Sequence, residues 1–425
     1  MANSNDWVSD VLDSLGHVET PRLWLWYSLI AAVSASAANN YHMPILKGAV
    51  IVKPNIYVIL LGESGLGKEL PVQLAQELVS RANVTRVIAG RSSIQAILKE
   101  LSMAQTRPDK PPITDSRAFI VNGELSTAII EDPSALTLLT DLYDRKTRWT
   151  NTLKGTGSEQ LKDTYVTTLF GSSYSHFYER IPQANIEGGY VGRNFIVEET
   201  KLFQQTDLLD DKEETENIFE TIMNKFVPHL EKINKGGGRI VYDVEAREYF
   251  NNWRTHWREE NPPGCDKTGF KARVPVHVLK VAMCLLLSDY EAQQTLIMNR
   301  EHLEEAIIKV SNLSYGTQRL VDGQGSDPLS AQTKLVLDYL INAEGNSLTR
   351  KQLLVRGYGN YTAQTLDQIL TNLKEIDWIR KDRIFEGKNS DWNIHLAGRP
   401  LEQYITYLEK AQAQRMKKNL AKEGI

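Results

Sequence analysis

Residues 57–68 read Tyr-Val-Ile-Leu-Leu-Gly-Glu-Ser-Gly-Leu-Gly-Lys, an apolar run that stops at Leu61 and gives way to Gly62, Gly65 and Gly67 ahead of Lys68. A short aliphatic run bounded by glycine reads as a strand buried on both faces. Gly62 and Gly67 stand five apart with Lys68 next, matching a phosphate-cradling loop at every position but the last, where Glu69 replaces the usual Ser or Thr. Such a loop works because glycine lets the backbone turn its N–H groups onto phosphate oxygens. A helix starting at about Lys68 would aim its positive dipole end at the same anion. Val72, Ala75 and Val79 share one face of that helix, and Pro71 falls in its first turn, where a missing N–H costs little. The nucleotide contacts expected from this strand, loop and helix are Gly62, Glu63, Ser64, Gly65, Leu66, Gly67, Lys68, Glu69 and Leu70.

The chain has 425 residues, enough for two to four domains, with 41% hydrophobic and 24% charged residues, as in ordinary globular proteins. Asp10, Asp13 and Glu19 near the start, without a basic segment and apolar run, argue against a signal peptide. The apolar stretch Leu23 to Ala38 contains Trp24, Trp26, Tyr27 and three serines, and reads as a buried helix rather than a bilayer span. Cys265 and Cys284 have no spacing, to each other or to histidines, that suggests zinc, which implies a reducing cytoplasm and no structural metal. The net charge of -4 is uneven: residues 326–425 carry 15 Lys/Arg against 12 Asp/Glu, and residues 1–325 carry 34 against 41. The mildly basic end is where nucleic acid would touch.

Around the loop the pattern is a mostly helical segment at 1–50, then strands at 55–61, 84–89, 118–121, 164–170 and 194–197 alternating with helices. This predicts an α/β fold with a parallel sheet between helices over residues 51–205. Residues 206–322 read as an all-helical lid, with helical stretches near 215–234, 243–260, 274–289 and 299–320. Asp322-Gly-Gln-Gly-Ser-Asp-Pro328 is the clearest linker. Residues 328–397 then show three helical segments and a two-strand hairpin, the order of a winged helix-turn-helix, and residues 398–425 read as one basic helix. In the third segment Leu366, Ile369, Leu370 and Leu373 point inward and leave Gln364, Thr365 and Gln368 to reach bases or phosphates, while Arg380, Lys381, Arg383 and Lys388 decorate the wing. A wing that touches only protein is the competing reading.

A triphosphate site also needs a second acidic strand, where one acid helps hold magnesium and the next polarises water. Ala118-Phe-Ile-Val-Asn-Gly-Glu-Leu125 fits, with Glu124 as the water-activating residue and Gly123 where the metal-side acid is expected. Both metal positions thus depart from pattern. Either Glu69 supplies the metal carboxylate that Gly123 lacks, or it repels the phosphates. Ser172 ends the next strand, where it can sense the terminal phosphate, and Arg193 opens the last one, where it can reach a neighbouring subunit's nucleotide. Lys271 and Arg273 are weaker candidates from the lid.

On these segments, together with 138–144, 192–195 and 273–286, the chain resembles the P-loop ATPases of phages and mobile elements that occur beside primases, related to AAA+ and superfamily-three helicases with a RecA-like core. The resemblance covers about residues 20–310, and only residues 55–68 are individually specific. It implies a ring, such as a hexamer, that binds ATP and Mg2+, moves on DNA, works with a primase or polymerase, and sandwiches ATP between Lys68 and the next subunit's Arg193. The 145–163 insertion, with Lys146, Arg148, Trp149 and Lys154, suits single-stranded DNA in a central channel, or is a solvated basic loop. A non-hydrolysing, nucleotide-bound initiator or scaffold is the alternative. A packaging motor would need a downstream nuclease carboxylate cluster, and none is visible.

Overall fold

The computed structural model describes residues 6–90, 93–107, 110–125, 133–144, 148–153, 157–174, 176–177, 189–206, 218–322, 330–341, 343–375, 377–386 and 389–397. The chain divides into two compact units, Met1–Arg319 and Leu320–Ile425.

The first unit opens with helices α1 (Trp7–Ser14) and α2 (Arg22–Ala37). Nearly every side chain of α2 is buried, which explains why its sequence is apolar all round rather than amphipathic. The expected helical character of residues 1–50 then ends early. Strands β1 (Tyr41–Ile45) and β2 (Val50–Val52) form an antiparallel pair, hidden from sequence reading by Pro44. A third strand pairs with β1 only at Tyr41 and His42, so Pro44 lies beyond that ladder.

Next come β3 (Tyr57–Leu61), α3 (Glu69–Ala82), β4 (Arg86–Ala89) and α4 (Ile94–Ser102). Ser93 caps α4 by accepting a hydrogen bond from the Ala96 amide, as its position ahead of an apolar-periodic run predicts. The polar, proline-bearing stretch 106–116, whose composition predicts a loop, overlaps a hairpin of β5 (Gln105–Arg107) and β6 (Lys110–Ile113). There follow β7 (Arg117–Asn122), α5 (Pro133–Asp144), the hairpin β8 (Arg148–Leu153) and β9 (Gly157–Lys162), then β10 (Tyr165–Ser172) and β11 (Asn194–Glu198).

The centre is a five-stranded sheet of order β11-β3-β10-β7-β4 in which every pairing is parallel. β3 and β10 are buried at every position, as strands covered on both faces must be. The fold is mixed α/β around this sheet. Because β10 lies between β3 and β7, the C-terminal ends of those three strands open side by side.

Past β11 the first unit is mainly helical: α6 (Ile218–Lys235), α7 (Val244–Glu260), α8 (Phe270–Ser288) and α9 (Arg300–Asp322). It is not wholly so, because β12 (Gly238–Arg239), β13 (Val241–Tyr242) and β14 (Ile297–Met298) interrupt it. These two-residue strands are too short to leave a period-2 pattern. Apolar side chains from α1, α2, the sheet and α6 to α9 join in one core.

The second unit contains α10 (Ser330–Ile341), β15 (Ser347–Thr349), α11 (Arg350–Arg356), α12 (Ala363–Glu375), β16 (Ile379–Glu386) and β17 (Asn389–Leu396). Its sheet has the order β15-β17-β16 and is antiparallel. Leu366, Ile369, Leu370 and Leu373 of α12 pack with Leu340, Leu353 and Ile394. Thr349 and Gln352 form a reciprocal capping box at the start of α11. The proposed basic helix at 398–425 lies outside the described residues.

Candidate functional site

Strand β3 delivers its chain into the loop at Gly62, and the packing there admits only glycine. A Cβ on Gly62 would lie 2.6 Å from the Glu199 carbonyl oxygen and 2.8 Å from the Trp24 ring. Gly65 and Gly67 follow with φ of 91° and 75°, the left-handed turn that lets backbone amides converge. Helix α3 begins at Glu69 with Lys68 as its N-cap.

Ser64, Gly65, Gly67, Lys68 and Glu69 of the loop, Asn122 at the end of β7 with the three residues after it, and Ser172 and Ser173 at the end of β10 line one cavity of about 710 Å³. The structure therefore brings together Lys68, Glu69, Glu124 and Ser172, which are spread over more than a hundred residues of sequence. Glu63 lies in the same loop, and Leu66 packs against the core.

Lys68 is folded onto its own loop, its Nζ donating to the carbonyls of Gly62 and Glu63 at 2.7 Å each. Partial burial lowers its pKa, while Glu63 and Glu124 pull the other way. An arriving phosphate would replace the two carbonyls with a stronger, charge-assisted partner.

The two atypical metal positions face each other. A Cβ on Gly123 would stand 4.0 Å from Glu69 Cγ, so the Glu69 side chain lies beside the position from which an acid at 123 would extend. Among the described residues no group of three or more His, Cys, Asp or Glu side chains is placed to hold a metal alone. A hard divalent cation here would draw on Glu69 together with the oxygens of a bound triphosphate, a donor set suited to magnesium.

Glu124 is exposed, and its amide donates to Asn122 Oδ1 at 3.3 Å. His176 Nδ1 stands 3.9 Å from Glu124 Oε1, and its Nε2 lies 3.1 Å from the Leu125 carbonyl oxygen. Sequence reading missed His176, Asn122, Trp24 and Thr20. Trp24 stacks 5.8 Å from Lys68 Nζ and donates its indole N–H to the Val197 carbonyl at 2.8 Å, and Thr20 Oγ1 donates to the Gly67 carbonyl at 3.4 Å. No spacing rule links these residues to the loop, so none could have been found from the linear pattern. Ser172 is buried, its Oγ donating to the Ser173 carbonyl at 3.2 Å.

A scan against protein-family models finds no match to this chain, and a search of curated proteins finds none either.

Arg193 lies at the other end of the sheet. Asn194 pairs with Tyr57 and Glu198 with Leu61, so Arg193 sits beside the start of β3, about 16 Å from the loop for five residues of strand. It cannot touch a nucleotide held by its own Lys68. Its guanidinium is bidentate to Asp144, with Nε–Oδ1 at 3.0 Å and Nη2–Oδ2 at 2.6 Å.

The expected DNA contacts are dispersed. Gln364 and Gln368 are exposed on α12, but Thr365 is half-buried and its hydroxyl is hydrogen-bonded to that of Thr362 at 2.9 Å. Thr365 serves the start of the helix. Lys381 pairs with buried Ile394, and alternation along β16 puts it and Arg383 on one face and Arg380 on the other. Burial lowers the Lys381 pKa, while Asp367 opposes that shift. These cations therefore do not form one patch. Lys146, Lys154 and Lys388 lie outside the described residues, and Arg148 opens β8 without a described side chain.

Proposed function

We propose that this chain is an ATP-driven motor of the helicase or translocase type from phage or mobile-element DNA replication, a P-loop ATPase akin to AAA+ and superfamily-three helicases. The observation that carries the reading is the convergence of Lys68, Glu69, Glu124 and Ser172 on one cavity at the C-terminal edge of the parallel sheet. Bound MgATP would supply the phosphoryl group and the ion that offsets its charge. Lys68 and the loop amides orient the phosphates, Glu124 accepts a proton from water, and Ser172 donates to the terminal phosphate. Glu69 is the protein's metal-side carboxylate.

Because Arg193 lies too far from its own loop, the reading requires a neighbouring copy, and a closed ring such as a hexamer supplies one to every site. The helical region after β11 acts as a lid, and the second unit as a winged helix engaging duplex DNA or a replication partner such as a primase or polymerase. Exposed Gln364 and Gln368 on α12 support contact with DNA. Among the described residues no helix is long and apolar enough to cross a membrane, and both cysteines are free, which fits action in a cytoplasm, that of the host if phage-encoded.

ATP hydrolysis by the purified protein, with and without single-stranded DNA and across a magnesium series, tests the reading. DNA-stimulated turnover that vanishes in Lys68→Ala is expected. Gly123, which lacks a carboxylate, favours the second reading, a nucleotide-bound initiator or scaffold, and tight binding without turnover would establish that one. With Arg193→Ala, turnover is expected to disappear while nucleotide binding persists; normal rates would remove Arg193 from the site.

A further inference from the structure

Helices α7 and α8 and the β1–β2 pair line a groove of about 320 Å³ in the first unit. Its floor is aliphatic and closed, with Met43, Leu279, Met298 and Leu303 all buried. Its rim is apolar and open: Leu46 is 64% exposed, and Val50, Tyr242 and Val276 are exposed as well. An open apolar patch with a polar border is the mark of an interaction surface rather than of a core. Among the described residues, none lines both this groove and the cavity at Lys68.

Leu46 is held in solvent by a strained turn. Its φ is 49° and that of Lys47 is 57°, left-handed conformations that bulky side chains rarely adopt. Strain that persists on a bulky, exposed apolar residue points to use of that residue.

Every charged residue lining the groove is an arginine, namely Arg247, Arg254 and Arg258 of α7. Spaced by seven and four residues, they fall within about 40° of one another around the helix and span about 16 Å along it. Arg247 has an acidic neighbour in Glu248 at 3.9 Å, a weak pair because both side chains are exposed. Glu259 and Glu260 follow Arg258 in the chain but are turned about 100° and 200° away from it round the helix, and neither lines the groove. Arg254 and Arg258 make no hydrogen bond or ion pair among the described residues. Burial lowers the Arg254 pKa, and Arg258 beside it lowers it further.

We propose that this groove docks an acidic, apolar segment of a partner protein, a short helix whose large aliphatic side chains fill the groove while its carboxylates run along Arg247, Arg254 and Arg258. Charge complementarity selects this occupant. Guanidiniums take carboxylates in bidentate, charge-assisted contact, and a row about 16 Å long matches three turns of a facing helix. A mainly aliphatic lining gives nucleic-acid bases little to stack on, and a bilayer is flat where this surface is concave. The proposal goes beyond the nucleotide reading and does not depend on it.

Selection of a random library of displayed peptides on the full chain tests this, followed by anisotropy titration of the most enriched peptide labelled with fluorescein. Enriched peptides are expected to combine Asp or Glu with large apolar residues, and to bind more weakly as salt rises. The double variant Arg254→Gln, Arg258→Gln is expected to bind about tenfold more weakly, and Leu46→Asn several-fold more weakly. Lys68→Ala should bind as wild type does. Melting temperatures are measured alongside. If the half-buried Arg254 makes the double variant unstable, Arg258→Gln and Leu46→Asn carry the test, since both positions are exposed and asparagine is at home in the left-handed turn. No enrichment, enrichment of basic or wholly polar peptides, or wild-type affinity in folded groove variants would overturn the proposal. The same variants are titrated with a single-stranded oligodeoxynucleotide and with phosphatidylglycerol-containing vesicles; a loss confined to either would assign the arginines to nucleic acid or to lipid and overturn it too. Dimers in sedimentation velocity that Leu46→Asn abolishes would give the groove to a second copy of this chain instead.

Discussion

Replacing Glu69 with Ser should have opposite effects on nucleotide binding with and without magnesium. A unit charge pair about 4 Å apart is worth about 1 kcal/mol in bulk water and about 4 kcal/mol at an effective dielectric of about 20. Glu69 is exposed, which places it near the lower limit. About 1.4 kcal/mol, or tenfold, is then the expected loss of magnesium affinity in the nucleotide complex when its carboxylate goes. In EDTA the same substitution should tighten nucleotide binding a few-fold, because an acid beside the phosphates has been removed. Gly123→Asp should restore the metal response in the Glu69→Ser background. The nearest heavy atom to a Cβ at 123 is Glu69 Cγ at 4.0 Å, and Gly123 is not among the residues with positive φ, so an aspartate fits without strain. The assay is a fluorescent ATP titration at fixed magnesium concentrations and in EDTA. If Glu69→Ser tightens binding in both, Glu69 only repels phosphate. If the magnesium midpoint does not move, the idea that the metal-side carboxylate has moved from the end of β7 to the start of α3 is wrong.

Three further outcomes follow from the packing. Gly62→Ala should destabilise the first unit by about 1–3 kcal/mol, because its Cβ would press on the Glu199 carbonyl and the Trp24 ring; an unchanged melting temperature would contradict that contact. His277 and His229 are buried, with pKa values pushed down to about 3 and about 4 from 6.5, so the unfolded chain takes up protons that the native one refuses as pH falls below 6.5. Stability should be complete above that value and drop by up to about 1.4 kcal/mol per pH unit for each histidine down toward its native pKa. Urea unfolding at pH 7.5 and 5 measures this, and His277→Gln should flatten the slope. Deleting residues 326–425 should weaken duplex DNA binding; equal affinity at matched salt would assign the second unit to protein contact.

Much of the candidate site was legible because the glycine-rich loop is local: Gly62, Gly67 and Lys68 announce it within a dozen residues, and the strand before it must be apolar on both faces. The elements around it were legible where amphipathic or buried runs were long. The β1–β2 pair escaped because Pro44 reads as a breaker, and β12 to β14 because two residues hold no period. Arg380, Lys381 and Arg383 stand close together in the sequence, but alternation along β16 sends Arg380 and Lys381 to opposite faces.

Taken alone, the chain order specified a buried strand, a glycine turn, Lys68 and a later apolar strand with Glu124 just beyond it, since backbone conformation and burial are encoded by neighbours a few residues apart. The tertiary structure decided which distant side chains share space. It set Glu69 against Gly123, slid β10 between β3 and β7 so that Ser172 opens beside the loop, and put Arg193 with Arg273 at the far end of the sheet. Those juxtapositions depend on strand order and on packing between segments far apart in the chain, and no local preference carries that information.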